Sequence, residues 1–245
     1  MGRRYKNPPI IEAVCEFRFG QDSPWDIAVP GLVYAEVRGA FPKRRQVRKL
    51  GVGILADEGA VKPNIQAADV MQFHQADEKA LIQVGLHLLA INHLRPYPSW
   101  DKFLPMIEKA LRTYYEVAAP NSIHRIGLRY VNRVEIPEQC VDLDDYFEFY
   151  PRCAPGFPED HGPFLVGLQF PYENGRDVLR VQLASAHVER PGLSPITLDL
   201  DYFLAQPGKW SVQEAVKWVG DAHQRVEAAF EACITDRLRA MFEEV

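Results

Sequence analysis

The stretch that decides the fold is Ile123-His124-Arg125-Ile126-Gly127-Leu128-Arg129-Tyr130-Val131-Asn132-Arg133-Val134-Glu135-Ile136. Side chains of a β-strand alternate between the two faces of a sheet. Read with period two, Ile126, Leu128, Tyr130, Val134 and Ile136 share one face with Asn132, and Arg125, Gly127, Arg129, Val131 and Arg133 share the other. No helical spacing gathers these apolar residues, so a long strand with one buried face is expected over 123–136. A second alternating run, IIEAVCEFRF over 10–19, behaves alike. It puts Ile11, Ala13, Cys15, Phe17 and Phe19 on one side and Glu12, Val14, Glu16 and Arg18 on the other. The predicted core-facing set on these two strands is Ile11, Cys15, Phe17, Ile126, Leu128 and Tyr130.

Outward from these strands, Ser23-Pro24 is a helix-start signal. Pro30-Gly31 interrupts it, which predicts a short turn and then a helical segment near 31–41. Lys43-Arg44-Arg45 and Arg48-Lys49 read as a basic loop. Strands are expected near Val70–His74, Ala80–Gly85 and His87–His93, with Asp77-Glu78 turning between the first two. Pro98-Ser99-Trp100 opens a helix bearing Phe103, Leu104, Ile107, Leu111 and Tyr114 at helical spacing. After 136 a short helix is expected from Asp142 through Phe147, then a Pro/Gly-rich loop. Strands follow near 163–171, 177–187 and 195–203, the first two joined at Asn174-Gly175, a strong hairpin signal. Ser211 and Glu214 have the spacing of a capping box. Ala215, Val219, Ala222, Val226, Phe230, Ile234, Leu238 and Met241 then predict one long helix over 211–243.

The expected fold is therefore α+β: antiparallel sheets in two similar halves, 10–118 and 123–243, within one chain spanning 1–245. Each half reads strand, helix, three strands, helix, with the helices on one face and a long C-terminal helix. The repeat is one of element order and not of residue identity, and it raises the expectation of an internal duplication.

Composition narrows function by exclusion. A formal net charge of -5 argues against coating nucleic acid through bulk charge. Asn7-Pro8-Pro9 stands where a signal peptide would need an apolar stretch. No apolar run is long enough for a membrane-spanning helix. Cys15, Cys140, Cys153 and Cys233 form no C-x-x-C pair. These features point to a cytoplasmic chain with no membrane association. No spacing of histidines suits a metal, no phosphate-binding or dinucleotide motif occurs, and no nucleophile motif is present. No catalytic residue, metal site or cofactor is expected.

Three segments, Asn7-Pro8-Pro9-Ile10-Ile11-Glu12-Ala13, Arg125-Ile126-Gly127-Leu128-Arg129-Tyr130-Val131-Asn132-Arg133 and Phe230-Glu231-Ala232-Cys233-Ile234-Thr235-Asp236-Arg237-Leu238, together span most of the chain. In them the chain resembles a sporadically distributed prokaryotic family of uncharacterised proteins of about this length. That family has no assigned activity, so the resemblance implies no catalytic residues. Its patchy distribution implies horizontally moved genes, such as defence or toxin–antitoxin cassettes.

The candidate binding residues are Arg125, Arg129 and Arg133, a row of rigid guanidinium forks suited to carboxylate or phosphate, and Arg44, Arg45 and Arg48 in the basic run. The bland reading pairs the row with Glu12 and Glu16 across the strands and treats the run as a solvated loop. Asp199 and Asp201 share a strand face, where pairing with Arg180 is expected ahead of acid–base chemistry. Cys153 beside Arg152, and His161 beside Glu159 and Asp160, are weaker candidates for thiol and metal chemistry. The expected function is a non-enzymatic, protein-binding accessory protein, set by the resemblance in a defence or toxin–antitoxin system. The alternative is nucleic-acid binding through the Arg-lined sheet face. A small-ligand sensor or enzyme using a pocket between sheet and helices is the third class, and a homodimer is left open.

Overall fold

The computed structural model describes residues 3–57, 60–152, 154, 156–157 and 162–244, with backbone alone for 49–57 and 60–68. It is an α+β fold built on a nine-stranded antiparallel sheet. The strands are β1 (Ile10–Phe19), β2 (Lys43–Asp57), β3 (Ala60–His74), β4 (Ala80–Gly85), β5 (Leu88–Leu94), β6 (Ile123–Ile136), β7 (Leu165–Tyr172), β8 (Asp177–Ser185) and β9 (Ser194–Leu204). The helices are α1 (Val29–Val37), α2 (Trp100–Ala118), α3 (Val212–Cys233) and α4 (Asp236–Phe242). Strand order is β2-β3-β4-β5-β1-β6-β9-β8-β7. The two long alternating strands are thus neighbours at the centre, Cys15 opposite Leu128 and Glu16 opposite Gly127.

Alternation explains the layers. Ala13, Cys15, Phe17, Ile126, Leu128, Tyr130, Leu198, Leu200 and Tyr202 all point to one face and are buried. Helices α2 and α3 lie on that face: Tyr114 of α2 stacks on Phe19 with ring centroids 4.4 Å apart, and Trp218 of α3 packs against Tyr202. Ile11 is the exception among the predicted core residues, being only half-buried. The register between β1 and β6 shifts between Ile10 and Glu12, a bulge that breaks the period at that residue.

The helices start and stop for local reasons. Helix α1 carries Pro30 in its first turn and buries Val29, Val33 and Val37 at four-residue spacing. The helix start expected at Ser23 is corrected: residues 23–26 are not helical, and the Ser23 hydroxyl accepts the backbone N–H of Asn121 at 3.1 Å instead. The capping box of α3 is formed, with Glu214 N–H donating to Ser211 Oγ at 3.2 Å and Ser211 N–H to Glu214 Oε2 at 2.8 Å.

The single helix expected over 211–243 is also corrected. It breaks after Cys233, where Ile234 is extended (φ -121°, ψ 148°) and pairs with Phe147 in an isolated bridge. Glu148 N–H donates to Cys233 O and Thr235 N–H to Tyr146 O, so the segment 146–148 takes over the backbone groups that a continuous helix would use. Thr235 then caps α4 through Leu238 N–H. Helix α3 has 22 residues, about 33 Å at 1.5 Å each.

Two further expectations change. The basic run is not a loop but the start of β2, paired residue for residue with β3. The short helix expected after β6 is one 3-10 turn, Leu143–Asp145. Among the described residues the first half therefore holds five strands and the second four. Read outward from the central seam, β1 is followed by β5, β4 and β3, and β6 by β9, β8 and β7.

Asp177, 1% exposed, anchors α3 to the second half of the sheet. Its carboxylate accepts Trp218 Nε1–H at 3.1 Å, the Tyr202 hydroxyl at 3.3 Å and two bonds from Arg176. Among the described residues no helix is long and apolar enough to cross a membrane.

Candidate functional site, the Arg-lined open face of the sheet

The face of β1, β6, β9 and β8 turned away from the helices carries the charged half of each alternating pattern. Arg125, Arg129 and Arg133 project from β6 opposite to Leu128, as parity requires. Each then meets a different fate. Arg125 donates through Nη2 to Asp201 Oδ2 at 2.8 Å and through Nη1 to Glu16 at 3.4 Å. Its guanidinium lies 4.6 Å over the Phe203 ring and across Gly127, where a Cβ would stand 2.2 Å from Arg125 Nη1. Gly127 thus clears the sheet surface so that the guanidinium can lie flat on it. Arg129 grips Asp199 with both prongs of its fork, Nε and Nη2, at 2.7 and 2.6 Å. That pairing raises the Arg129 pKa further above its ordinary value. Arg133, with its side chain largely buried, donates to the His187 carbonyl at 2.8 Å and contacts Glu135 and Glu189, so it serves the loop after β8.

Two arginines complete the site. Arg180 of β8 donates through Nη2 to the same Asp201 oxygen at 3.0 Å, and its Nε is buried with no partner among the described residues. Arg18 of β1 chelates Glu16 at 2.7 and 3.2 Å. The result is a shallow groove of about 310 Å³ lined by Arg18, Arg125, Arg129, Arg180, Glu16 and Asp201. Burial pushes the Asp201 carboxyl above its ordinary pKa, against the lowering effect of Arg125, Arg180 and Arg129. Four guanidiniums in the lining face two carboxylates, and Asp199 behind Arg129 supplies a third.

The remaining acid of this face, Glu12, is held elsewhere. It accepts from Asn92 Nδ2 at 2.7 Å, Asn92 accepts from Gln83 at 2.7 Å, and Gln83 accepts from Gln72 at 3.1 Å. This row of amides crosses β3, β4, β5 and β1 on the same face as the arginines. It was not foreseen from sequence, although parity places each of these residues opposite to its apolar neighbours.

The basic run does not join the groove. Strand β2 lies five strand spacings from β6, about 24 Å. Alternation also splits the run between faces. Arg44 lies 5.5 Å over the Tyr34 ring of α1, Lys43 and Arg45 both bind Glu78 at 2.9 Å, and Arg48 contacts Asp69. Cys153, Glu159, Asp160 and His161 lie outside the described residues, as does the side chain of Lys49.

On the helix side a polar chain runs through the core. The Tyr97 and Tyr130 hydroxyls are 3.2 Å apart, Tyr130 is 3.2 Å from His223 Nδ1, and His223 Nε2 is 3.3 Å from Glu227. Trp100 stacks on the His223 ring at 4.0 Å. Burial holds the Tyr130 hydroxyl well above its ordinary pKa. Among the described residues no three metal-ligating side chains gather. Cys15 and Cys233 are buried, with thiol pKa values raised by burial.

No family model matches the chain, and no curated protein matches it in sequence.

Proposed function

We propose that the protein works by binding another protein through the open sheet face, with the Arg-lined groove as the contact for an acidic group on the partner. The observation that carries this reading is the excess of guanidinium over carboxylate in the groove. A carboxylate set among Arg18, Arg125 and Arg180 meets charge-assisted donors already held in place by Glu16 and Asp201, so little ordering cost is added on binding. A protein partner suits the face better than a nucleic acid. Carboxylates alternate with the guanidiniums, and the second basic cluster lies on a distant edge, so the described residues form no continuous cationic track for a phosphate backbone. The resemblance supplies the setting, an accessory role in a prokaryotic defence or toxin–antitoxin system. We also infer an internal duplication, supported by the matching strand order on the two sides of the β1/β6 seam.

The test is co-expression with the products of neighbouring genes, followed by capture of the complex. Arg18→Glu reverses an exposed charge in the groove and is expected to abolish capture while the melting temperature stays within a few degrees. Arg112→Glu, on the outer surface of α2, is the control and is expected to leave capture intact. If the two variants behave alike, the groove is not the contact. Shifted nucleic acid at low salt, with no protein captured, would favour the alternative reading.

A further inference from the structure

The two edges of the sheet are guarded differently. Edge strands expose unpaired backbone groups, and charged side chains are the common protection. Strand β2 has Lys43, Arg44, Arg45 and Arg48 in its first six residues. Strand β7, Leu165-Val166-Gly167-Leu168-Gln169-Phe170-Pro171-Tyr172, has no charged residue. Leu165, Leu168 and Phe170 are 71%, 51% and 41% exposed. The apolar row Val166, Leu168 and Phe170 points to the helix side, where α3 packs chiefly on β6 and β9 and meets the end of β7 at Tyr172, 5.2 Å from the Arg225 guanidinium, while Leu168 and Phe170 stay exposed.

We propose that β7 pairs with β7 of a second copy of this chain, antiparallel about a twofold axis normal to the sheet, continuing the sheet across two protomers. The inference is independent of the proposed contact at the Arg-lined groove. Backbone direction sets the register. Ser185 N–H donates to Phe164 O, so the even-numbered residues of β7 bond inward to β8. Leu165, Gly167 and Gln169 therefore turn both backbone groups outward, and Pro171 turns out its carbonyl alone. A twofold axis through Leu168 sets Gly167 opposite Gln169 of the copy, where each exchanges both bonds. It also sets Leu165 N–H opposite the Pro171 carbonyl, so the missing proline donor is needed only where Leu165 would accept. In the same register the apolar row meets itself, Leu168 on Leu168 and Val166 on Phe170, with both helix layers on one side.

The self-complementary register favours a second copy as the occupant: Gly167 meets Gln169 and the apolar row meets itself, and the uncharged strand opposes no like charges, whereas pairing β2 with itself would align two basic strands. An isologous contact of this kind also closes and does not propagate.

The experiment uses the full chain. Sedimentation across a micromolar concentration series is expected to show a dimer. Leu168→Arg puts two like charges at a non-hydrogen-bonded pair about 4.5 Å apart between Cα atoms, and is expected to give a monomer with the far-UV circular dichroism of the parent. The second arm uses a background in which Cys140 and Cys153 are serine, because Cys140 is exposed. There Leu168→Cys is expected to form a covalent dimer on mild oxidation, since that Cα separation fits a disulfide. Gln169→Cys, about 8–9 Å from its own twin by strand geometry, is expected to form none. A wild-type monomer at every concentration would overturn the proposal. So would a dimer that survives Leu168→Arg, a failure of Leu168→Cys to cross-link, or growth into open-ended oligomers through β7 and β2.

Discussion

Replacing Asp177 with Ala tests how α3 is held to the sheet. The carboxylate is buried beneath Trp218 of α3 and Tyr202 of β9, and it is the common acceptor for both. The substitution leaves the indole N–H and the tyrosine hydroxyl buried, at 5% and 3% exposure, without that acceptor. Each buried donor so orphaned costs about 1–3 kcal/mol. Arg176 has a side chain 44% exposed and can turn to water, so its loss adds little. Against this stands the relief of no longer desolvating a carboxylate. The expected net cost is about 2–4 kcal/mol, read as a fall in the urea midpoint at unchanged m-value. Trp218→Phe removes one of the two donors, so Asp177→Ala in that background should cost less, with a coupling energy of about 1 kcal/mol or more. A cost below about 1 kcal/mol, or strictly additive single variants, would show that the carboxylate does not hold the helix.

Leu128→Ala, at a fully buried position on the central strand, is expected to cost about 2–5 kcal/mol in chemical denaturation. Arg129→Ala leaves Asp199 buried without its bidentate partner, so the melting temperature should fall; adding Asp199→Asn should restore part of it, and an absence of rescue would show that the pair is not coupled. Gly127→Ala displaces the Arg125 guanidinium by the overlap already described; partner capture should weaken at nearly constant stability, because the atom displaced is the end of a flexible side chain. The His74 pKa is lowered first by burial and then by Arg45 and Lys43. A base whose folded pKa is depressed destabilises the fold as pH drops through its unfolded value near 6.5, since the unfolded chain binds the proton more readily. Urea midpoints at pH 7.5 and 5.5 should therefore differ less for His74→Gln than for the parent, and an equal difference would exclude His74 as a source of the slope.

What was legible in the sequence follows from period two. The bounds of β6, its buried face and the projection of the Arg row from the other face all come from strict alternation, which a single residue of slip would destroy. Alternation states the face of a side chain and is silent on its neighbour. Glu16 on β1 does take Arg125, but the stronger partners, Asp199 and Asp201, come from the strand on the other side of β6. The break after Cys233 was hidden because Ile234 and Leu238 continue the helical apolar spacing, while the cap at Thr235 is a weaker local signal. The basic run concealed β2 because an edge strand tolerates charge on both faces, so it lacks the apolar alternation by which an interior strand is recognised.

The amide row across β3, β4, β5 and β1 bears on how the sheet avoids assembling wrongly. Each amide donates in one direction, from Gln72 through Gln83 and Asn92 to Glu12, and the chain ends on a side chain that only accepts when ionised. Apolar residues at the neighbouring positions could pack in several registers at similar energy. A hydrogen-bonded row cannot, because sliding any one strand by a residue would turn its amide into the space filled by Phe73, Ile82 and Ile91. Glu12→Gln would supply a donor at the terminus and allow the whole row to reverse its polarity. Such a chain could keep near-native stability and yet refold more slowly or less uniformly, since the change removes a preference between pairings and no packing from the finished sheet.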